Sequence, residues 1–125
     1  MINDAMRDEC FARISSERAR TLYDRLCRAC DTRDDGITDA DQAIVGDIAY
    51  EEQIKELLEQ DIQERGIGKE QRNGRQTYWA ENKSLGQLRA YSEQQRKQLS
   101  ELRLTPVRRK AAVVNIEDDF DSFPD

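Results

Sequence analysis

Along the chain, apolar and polar positions alternate in a way that predicts helices with one short extended interruption. Tyr23, Leu26, Cys27 and Cys30 recur at three- and four-residue spacing, the period of one helix face. Ser15 or Ser16 supplies the N-cap of this first helix, with Glu17 near its positive end. Phe11 and Ile14 extend the pattern a turn earlier, and Asp34-Asp35-Gly36 ends it as a turn. Thr38 or Asp39 caps a second helix whose early turns carry Asp39, Asp41 and Asp47, as the macrodipole favours. Ile44, Val45, Ile48, Ile54, Leu57, Leu58 and Ile62 form its apolar stripe. Gly66 stands at its C-terminal end. A helix of about 27 residues is a rod of roughly 40 Å. The short turn between the two helices predicts antiparallel pairing.

Beyond Gly66 the pattern changes. Asn73-Gly74 is a strong hairpin signal, because both residues tolerate positive φ. Gln76-Thr77-Tyr78-Trp79 reads as the returning strand. The opposite arm is polar, so the hairpin is expected to be exposed, with Lys69, Arg72 and Arg75 along it. Asn82 caps a third helix, in which Leu85, Leu88, Ser92, Gln95, Leu99 and Leu102 share one seam. The polar middle of that seam is of the kind that specifies register or partner at a cost in stability. Thr105-Pro106 begins a short basic helix, Val107-Arg108-Arg109-Lys110. From Asn115 the chain turns acidic, a predicted disordered tail with Phe120 and Phe123 as its aromatic anchors. The expected architecture is all-α. A long antiparallel helical hairpin is joined by a third helix, a short C-terminal helix and a small β-hairpin. The segments run 1–14, 15–66, 67–80, 81–114 and 115–125.

Composition sharpens this picture. Leu, Ile, Val and Phe make up 20% of the 125 residues and 37% are charged, which borders on too little for a self-sufficient core. One domain fits, and a deep enzyme pocket does not. The net charge of −6 is segregated. Residues 1–33 carry +1, 34–67 carry −9, 68–110 carry +7 and 111–125 carry −5. The +7 block keeps nucleic acid open as a partner despite the acidic total. No apolar run approaches the length of a membrane span, and Met1-Ile2-Asn3-Asp4 lacks the features of a signal peptide. A soluble, cytoplasmic chain is expected.

The candidate chemistry is thin. There is no His, which removes most zinc sites and every Ser–His or Cys–His pair. Cys27 and Cys30 form a Cys-x-x-Cys, but the pair lies on an apolar helix face and only Cys10 could join it. Buried core thiols are the expectation. Asp31 to Gln42 resembles a calcium loop with Gly36 at its sixth position. Arg33 puts a cation where an oxygen ligand belongs, and Gln42 replaces the bidentate Glu. Gly66-x-Gly68 lacks the Lys-Ser/Thr continuation of a phosphate loop. No catalytic residue, metal or cofactor is expected.

Three stretches carry a family resemblance. They are Gly36-Ile37-Thr38-Asp39-Ala40-Asp41; Asn73-Gly74 with the later Glu81-Asn82; and Leu99-Ser100-Glu101-Leu102-Arg103-Leu104-Thr105-Pro106-Val107-Arg108-Arg109. In this order, followed by an acidic tail, they resemble the small terminase subunits of phages with cos-type DNA packaging, from about Arg18 to the C-terminus. Arg103 stands where the family has Gly, at a tight turn, and Lys83 where it has Pro. The resemblance implies a non-enzymatic, ring-shaped homo-oligomer in the host cytoplasm. Such subunits bind viral double-stranded DNA and regulate the large terminase subunit, which holds the ATPase and nuclease.

Two basic sets compete for the DNA. One is Lys69, Arg72, Arg75, Lys83, Arg89, Arg108, Arg109 and Lys110; the alternative is Arg13, Arg18, Arg20, Arg25 and Arg28. Asp118, Asp119, Phe120, Asp121 and Phe123 are expected to meet the large subunit, and the Leu85–Leu102 seam to join copies. The other readings are a small helix-turn-helix DNA-binding regulator and a protein-only helical adaptor.

Overall fold

The computed structural model describes residues 1–104. The Thr105-Pro106 helix start and the acidic tail lie outside the described residues. The chain begins with a helix of its own, α1 (Asp4–Arg13), capped by Asn3 Oδ1, which accepts from the backbone N–H of Ala5 and Met6. The pattern of Phe11 and Ile14 does not simply prolong the next helix. At Ile14 the backbone is extended (φ −116°, ψ 131°) and the side chain is buried. The N–H groups of Ser15 and Ser16 both donate to Gln53 Oε1, at 2.7 and 2.9 Å. Ser16 then caps α2 (Glu17–Asp31) by accepting from Ala19 N–H. Two serines whose amides find a side-chain acceptor are enough to break one helix into two.

Thr38 caps α3 (Asp39–Arg65) and forms a reciprocal capping box with Asp41. Helix α3 is the spine. Arg33 meets Asp41 at one end of the α2–α3 pair, and Arg18 meets Glu59 towards the other, so the two helices run antiparallel. Two strands, β1 (Gly68–Asn73) and β2 (Gln76–Glu81), form an antiparallel hairpin with Asn73 opposite Gln76. Helix α4 (Lys83–Glu101), capped by Asn82, returns antiparallel along α3. Ser84 lies against Asp61, and Gln95 against Ile48.

The core sits at the N-terminal half of α3. Cys10, Tyr23, Leu26, Val45, Ile48 and Leu102 meet there, all buried. Cys27 and Cys30 are buried free thiols in this core. Burial pushes them up to about 12 and about 11, so neither supplies a thiolate near neutral pH. Gln42, the residue that spoils the calcium-like loop, is buried as a connector. Its Nε2 donates to Tyr23 Oη and Asn3 O, both at 2.8 Å, and its Oε1 accepts from Asn3 N–H.

Arg33 fills the turn between α2 and α3. Its guanidinium is buried and donates to the carbonyls of Cys30 (3.0 Å), Leu102 (2.7 Å) and Gly36 (3.1 Å), and to the Asp41 carboxylate. One side chain thus ties the α2 end, the α3 start and the α4 end together. Burial opposes charge on Asp41, but the donors from Thr38 and Arg33 hold its carboxyl below the usual range. Arg103 is the one non-glycine residue with positive φ (60°) among the described residues, and it pairs with Asp35 at 2.7 Å. Its position is the one where the resembling family has Gly.

The Leu85–Leu102 seam faces inward more than expected. Gln95 and Leu102 are buried and Leu99 packs on the core, all within one chain. Leu85, Leu88 and Ser92 are half-buried. Within the chain, Gln95 of the polar middle finds its partners on α3. Gln95 Nε2 donates to Ile48 O and Glu52, and its Oε1 accepts from Lys55 Nζ at 2.8 Å.

Candidate nucleic-acid interface

The hairpin is held at its base by a polar knot. Arg65 donates to both oxygens of Asp61 (2.6 and 2.7 Å), and Ser84 Oγ and Asn82 Nδ2 add to Asp61 Oδ2 at 2.6 and 3.2 Å. Arg65, then Ser84, hold the Asp61 carboxyl far below the ordinary carboxylate range. Asn82 does three jobs. Its Oδ1 caps α4 at Ser84 N–H, its Nδ2 reaches Gly66 O (3.0 Å), and its N–H donates to Ile67 O (2.9 Å). The exit from α3 and the entry to α4 are therefore fixed relative to each other. The hairpin projects from that fixed base.

Register places the hairpin side chains on two faces. Gly68, Glu70, Arg72, Thr77, Trp79 and Glu81 share one. Lys69, Gln71, Tyr78 and Ala80 lie on the other, where Tyr78 Oη donates to Gln71 Oε1 at 2.9 Å. The Trp79 indole lies over Gly68, where a Cβ would come within 2.7 Å of the ring. Gly68 is thus the floor that lets Trp79 lie flat. Even so, Trp79 is 58% exposed and Tyr78 49%.

The basic residues separate into engaged and free ones. Among the described residues, Lys69, Arg72, Arg75 and Lys83 are exposed and make no ion pair, and Arg89 meets Glu81 only loosely at 3.7 Å. Arg108, Arg109 and Lys110 lie outside the described residues, as do Asp118, Asp119, Phe120, Asp121 and Phe123. In the alternative set, Arg18 is clamped by Glu52 and Glu59, both at 2.7 Å. Arg20 donates to the carbonyls of Ile14 and Phe11 and stands over the Phe11 ring. Arg13 flanks the Cys10 thiol, Arg25 is half-buried and Arg28 is exposed. Arg18 and Arg20 are therefore occupied in holding helices together, and Arg25 is engaged as well. Lys69, Arg72, Arg75, Lys83 and Arg89 are brought to one end of the molecule.

The chain matches the family model for the phage terminase small subunit over residues 19–119. It belongs to the phage terminase small subunit family. No curated protein and no solved structure matches it. The match begins inside α2, so α1 lies outside it, and it spans α3, the hairpin and α4. The family serves phage DNA packaging, and its small subunits are in general not the catalytic partner. No helix among the described residues is long and apolar enough to cross a membrane.

Sequence reasoning found the hairpin and its basic residues but passed over Tyr78 and Trp79 as site residues. The signal was present. A two-stranded ribbon with one polar arm has nothing to bury two adjacent aromatic residues against. Asp61 was hidden among many acids of α3, and only its contacts to Ser84 and Asn82 distinguish it.

Proposed function

We propose that this chain is the DNA-binding, regulatory subunit of a phage packaging terminase. It binds viral genomic DNA, and it recruits and regulates the large ATPase/nuclease subunit as DNA enters the prohead. The observation that carries the reading is the unpaired Lys69, Arg72 and Arg75 on an exposed hairpin that also presents Trp79 and Tyr78, in a member of this family. Unpaired cations release counterions when they meet phosphates, and exposed aromatic faces add sequence-tolerant contact. Lys83 and Arg89 extend the same surface, and Arg108, Arg109 and Lys110 add to the basic block in sequence.

Copies assemble as a ring. Support comes from α3, where Tyr50 and Leu57, seven residues apart, are 44% and 60% exposed on one helix face. Leu85, Leu88 and Ser92 are the members of the α4 seam still open to contribute. The large subunit is met by Asp118, Asp119, Phe120, Asp121 and Phe123, with the two rings as anchors. ATP hydrolysis and DNA cutting belong to that partner.

The test is charge reversal of Lys69, Arg72 and Arg75 together, with DNA affinity followed against salt. Each lost phosphate contact is expected to flatten the log–log salt slope by about 0.9. An unchanged slope would reject the hairpin as the DNA contact. Reversal of Arg13 and Arg28 is the matched control. Removal of residues 115–125 is expected to abolish stimulation of the large subunit while leaving DNA affinity intact. Light scattering that gives a monomer at micromolar concentration would reject the ring.

A further inference from the structure

Between α3 and α4, a buried and a half-buried side chain meet with an odd imbalance. Glu51 is 7% exposed and Gln98 is half-buried. Gln98 Nε2 points at Glu51 Oε2 at 3.4 Å. Glu51 Oε1 and Gln98 Oε1 are both buried, and neither has a hydrogen-bond partner among the described residues. An ionised carboxylate has no hydrogen to give, so this pairing leaves two acceptors and no donor. Turning the Gln98 amide over only exchanges which of its atoms is left alone. A single proton resolves both orphans: a carboxylic acid and a primary amide form two reciprocal hydrogen bonds, O–H to C=O and N–H to C=O.

We infer that Glu51 is protonated in the folded chain and donates its carboxyl hydrogen to Gln98 Oε1, making the α3–α4 contact a proton-dependent latch. The Gln98 Nε2–Glu51 Oε2 contact already brings the two head groups together. Burial favours the neutral acid and outweighs the N–H that Gln98 gives the carboxyl; Asp47, one turn earlier on α3, adds to burial, and Lys55, one turn later, opposes it. Lys55 is itself turned to Gln95 Oε1 (2.8 Å) and Glu52 (3.7 Å), which share its charge. On α4, the charges beside Gln98 are Lys97 and Glu101, and Lys97 and Glu101 are both exposed. Gln98 also accepts the N–H of Leu102 on its backbone carbonyl, so the latch grips the last turn of α4.

The sign follows from linkage. A carboxyl that holds its proton more tightly when folded gives stability that is complete below its unfolded value of 4.5. That stability is lost as pH rises through the folded value. In the full chain, carbon-detected NMR of the glutamate carboxyls is expected to show Glu51 still protonated after the exposed glutamates have ionised. Glu51→Gln keeps both reciprocal bonds without a titrating proton. Its midpoint temperature is expected to stay level relative to that of the unsubstituted chain, which falls as pH rises above 4.5. A bridging water would satisfy the same two oxygens with Glu51 ionised. Titration of Glu51 together with the exposed glutamates would therefore overturn the latch, and so would an unchanged pH slope in Glu51→Gln. The NMR titration uses the unsubstituted chain and stands if that variant does not fold.

Discussion

The two ends of α3 are held by different physics. At its N-terminal end, three other elements converge on buried Tyr23, Leu26, Val45, Ile48 and Leu102, and a buried guanidinium ties three chain segments together. At its C-terminal end, no large apolar side chain is buried among the described residues. The hairpin stands on one carboxylate with three donors. Apolar burial is non-directional and additive, so the first end is robust and cooperative. A polar knot at the surface fixes direction more than it adds stability. The lesson is a division of labour within one small chain. One end supplies folding free energy, and the other points a ribbon of cations and aromatic rings outward.

This contrast is open to direct attack. Arg33→Ala is the largest blow, because it removes from a buried turn the charge partner of Asp41 and the side-chain donor to three carbonyls. A loss of about 3–5 kcal/mol in denaturant unfolding is expected. Asp61→Ala is expected to act locally. Hairpin amides should exchange hydrogen faster while the α2 and α3 core amides keep their protection. Acidification does not separate the ends in the same way. A carboxyl held low when folded contributes stability above its ordinary value of 3.8. That contribution is lost as pH falls through the depressed folded value, and both ends carry such a group, Asp61 at the hairpin and Asp41 in the buried turn. If core and hairpin amides exchange together in Asp61→Ala, the two ends are not independent.

Arg103→Gly sharpens the comparison in the opposite direction. It relieves a positive φ that an L side chain tolerates poorly, at the loss of one exposed pair with Asp35. A net gain of up to about 1 kcal/mol is expected from chemical unfolding. The smallest effect on folding is expected at Trp79. Its replacement by Ala should change global stability by less than about 0.5 kcal/mol, while weakening DNA binding. A large fall in the melting temperature would mean that the hairpin is part of the core after all.

The sequence carried most of this architecture because local chemistry decided it. Ser16, Thr38 and Asn82 cap helices where their side chains read as caps, and Asn73-Gly74 turns where such a pair turns. What escaped was decided by distant contacts. The break between α1 and α2 depends on Gln53, 37 residues from Ser16. The partners of Gln95 in the α4 seam, Ile48, Glu52 and Lys55, lie on α3, 40 to 47 residues earlier in the chain. Arg33 was legible as the residue that forbids calcium, but not as the cation that replaces it. The basic residues of the hairpin were legible, whereas the engagement of Arg18 and Arg20 was not. Periodicity reports which face a residue occupies and says nothing of which carboxylate waits opposite.

The antiparallel return of α4 has a geometric consequence. The hairpin leaves one end of α3, and the chain beyond Leu104 departs from the other, where Leu104 is buried and Arg33 holds the Leu102 carbonyl. The separation between these two points is a residue count along one helix, 27 residues in α3, or about 40 Å at 1.5 Å each. The subunit is thus a ruler. Inserting one heptad into α3 and α4 together would move the two ends about 10 Å further apart without altering either, which separates the distance between the two surfaces from their chemistry.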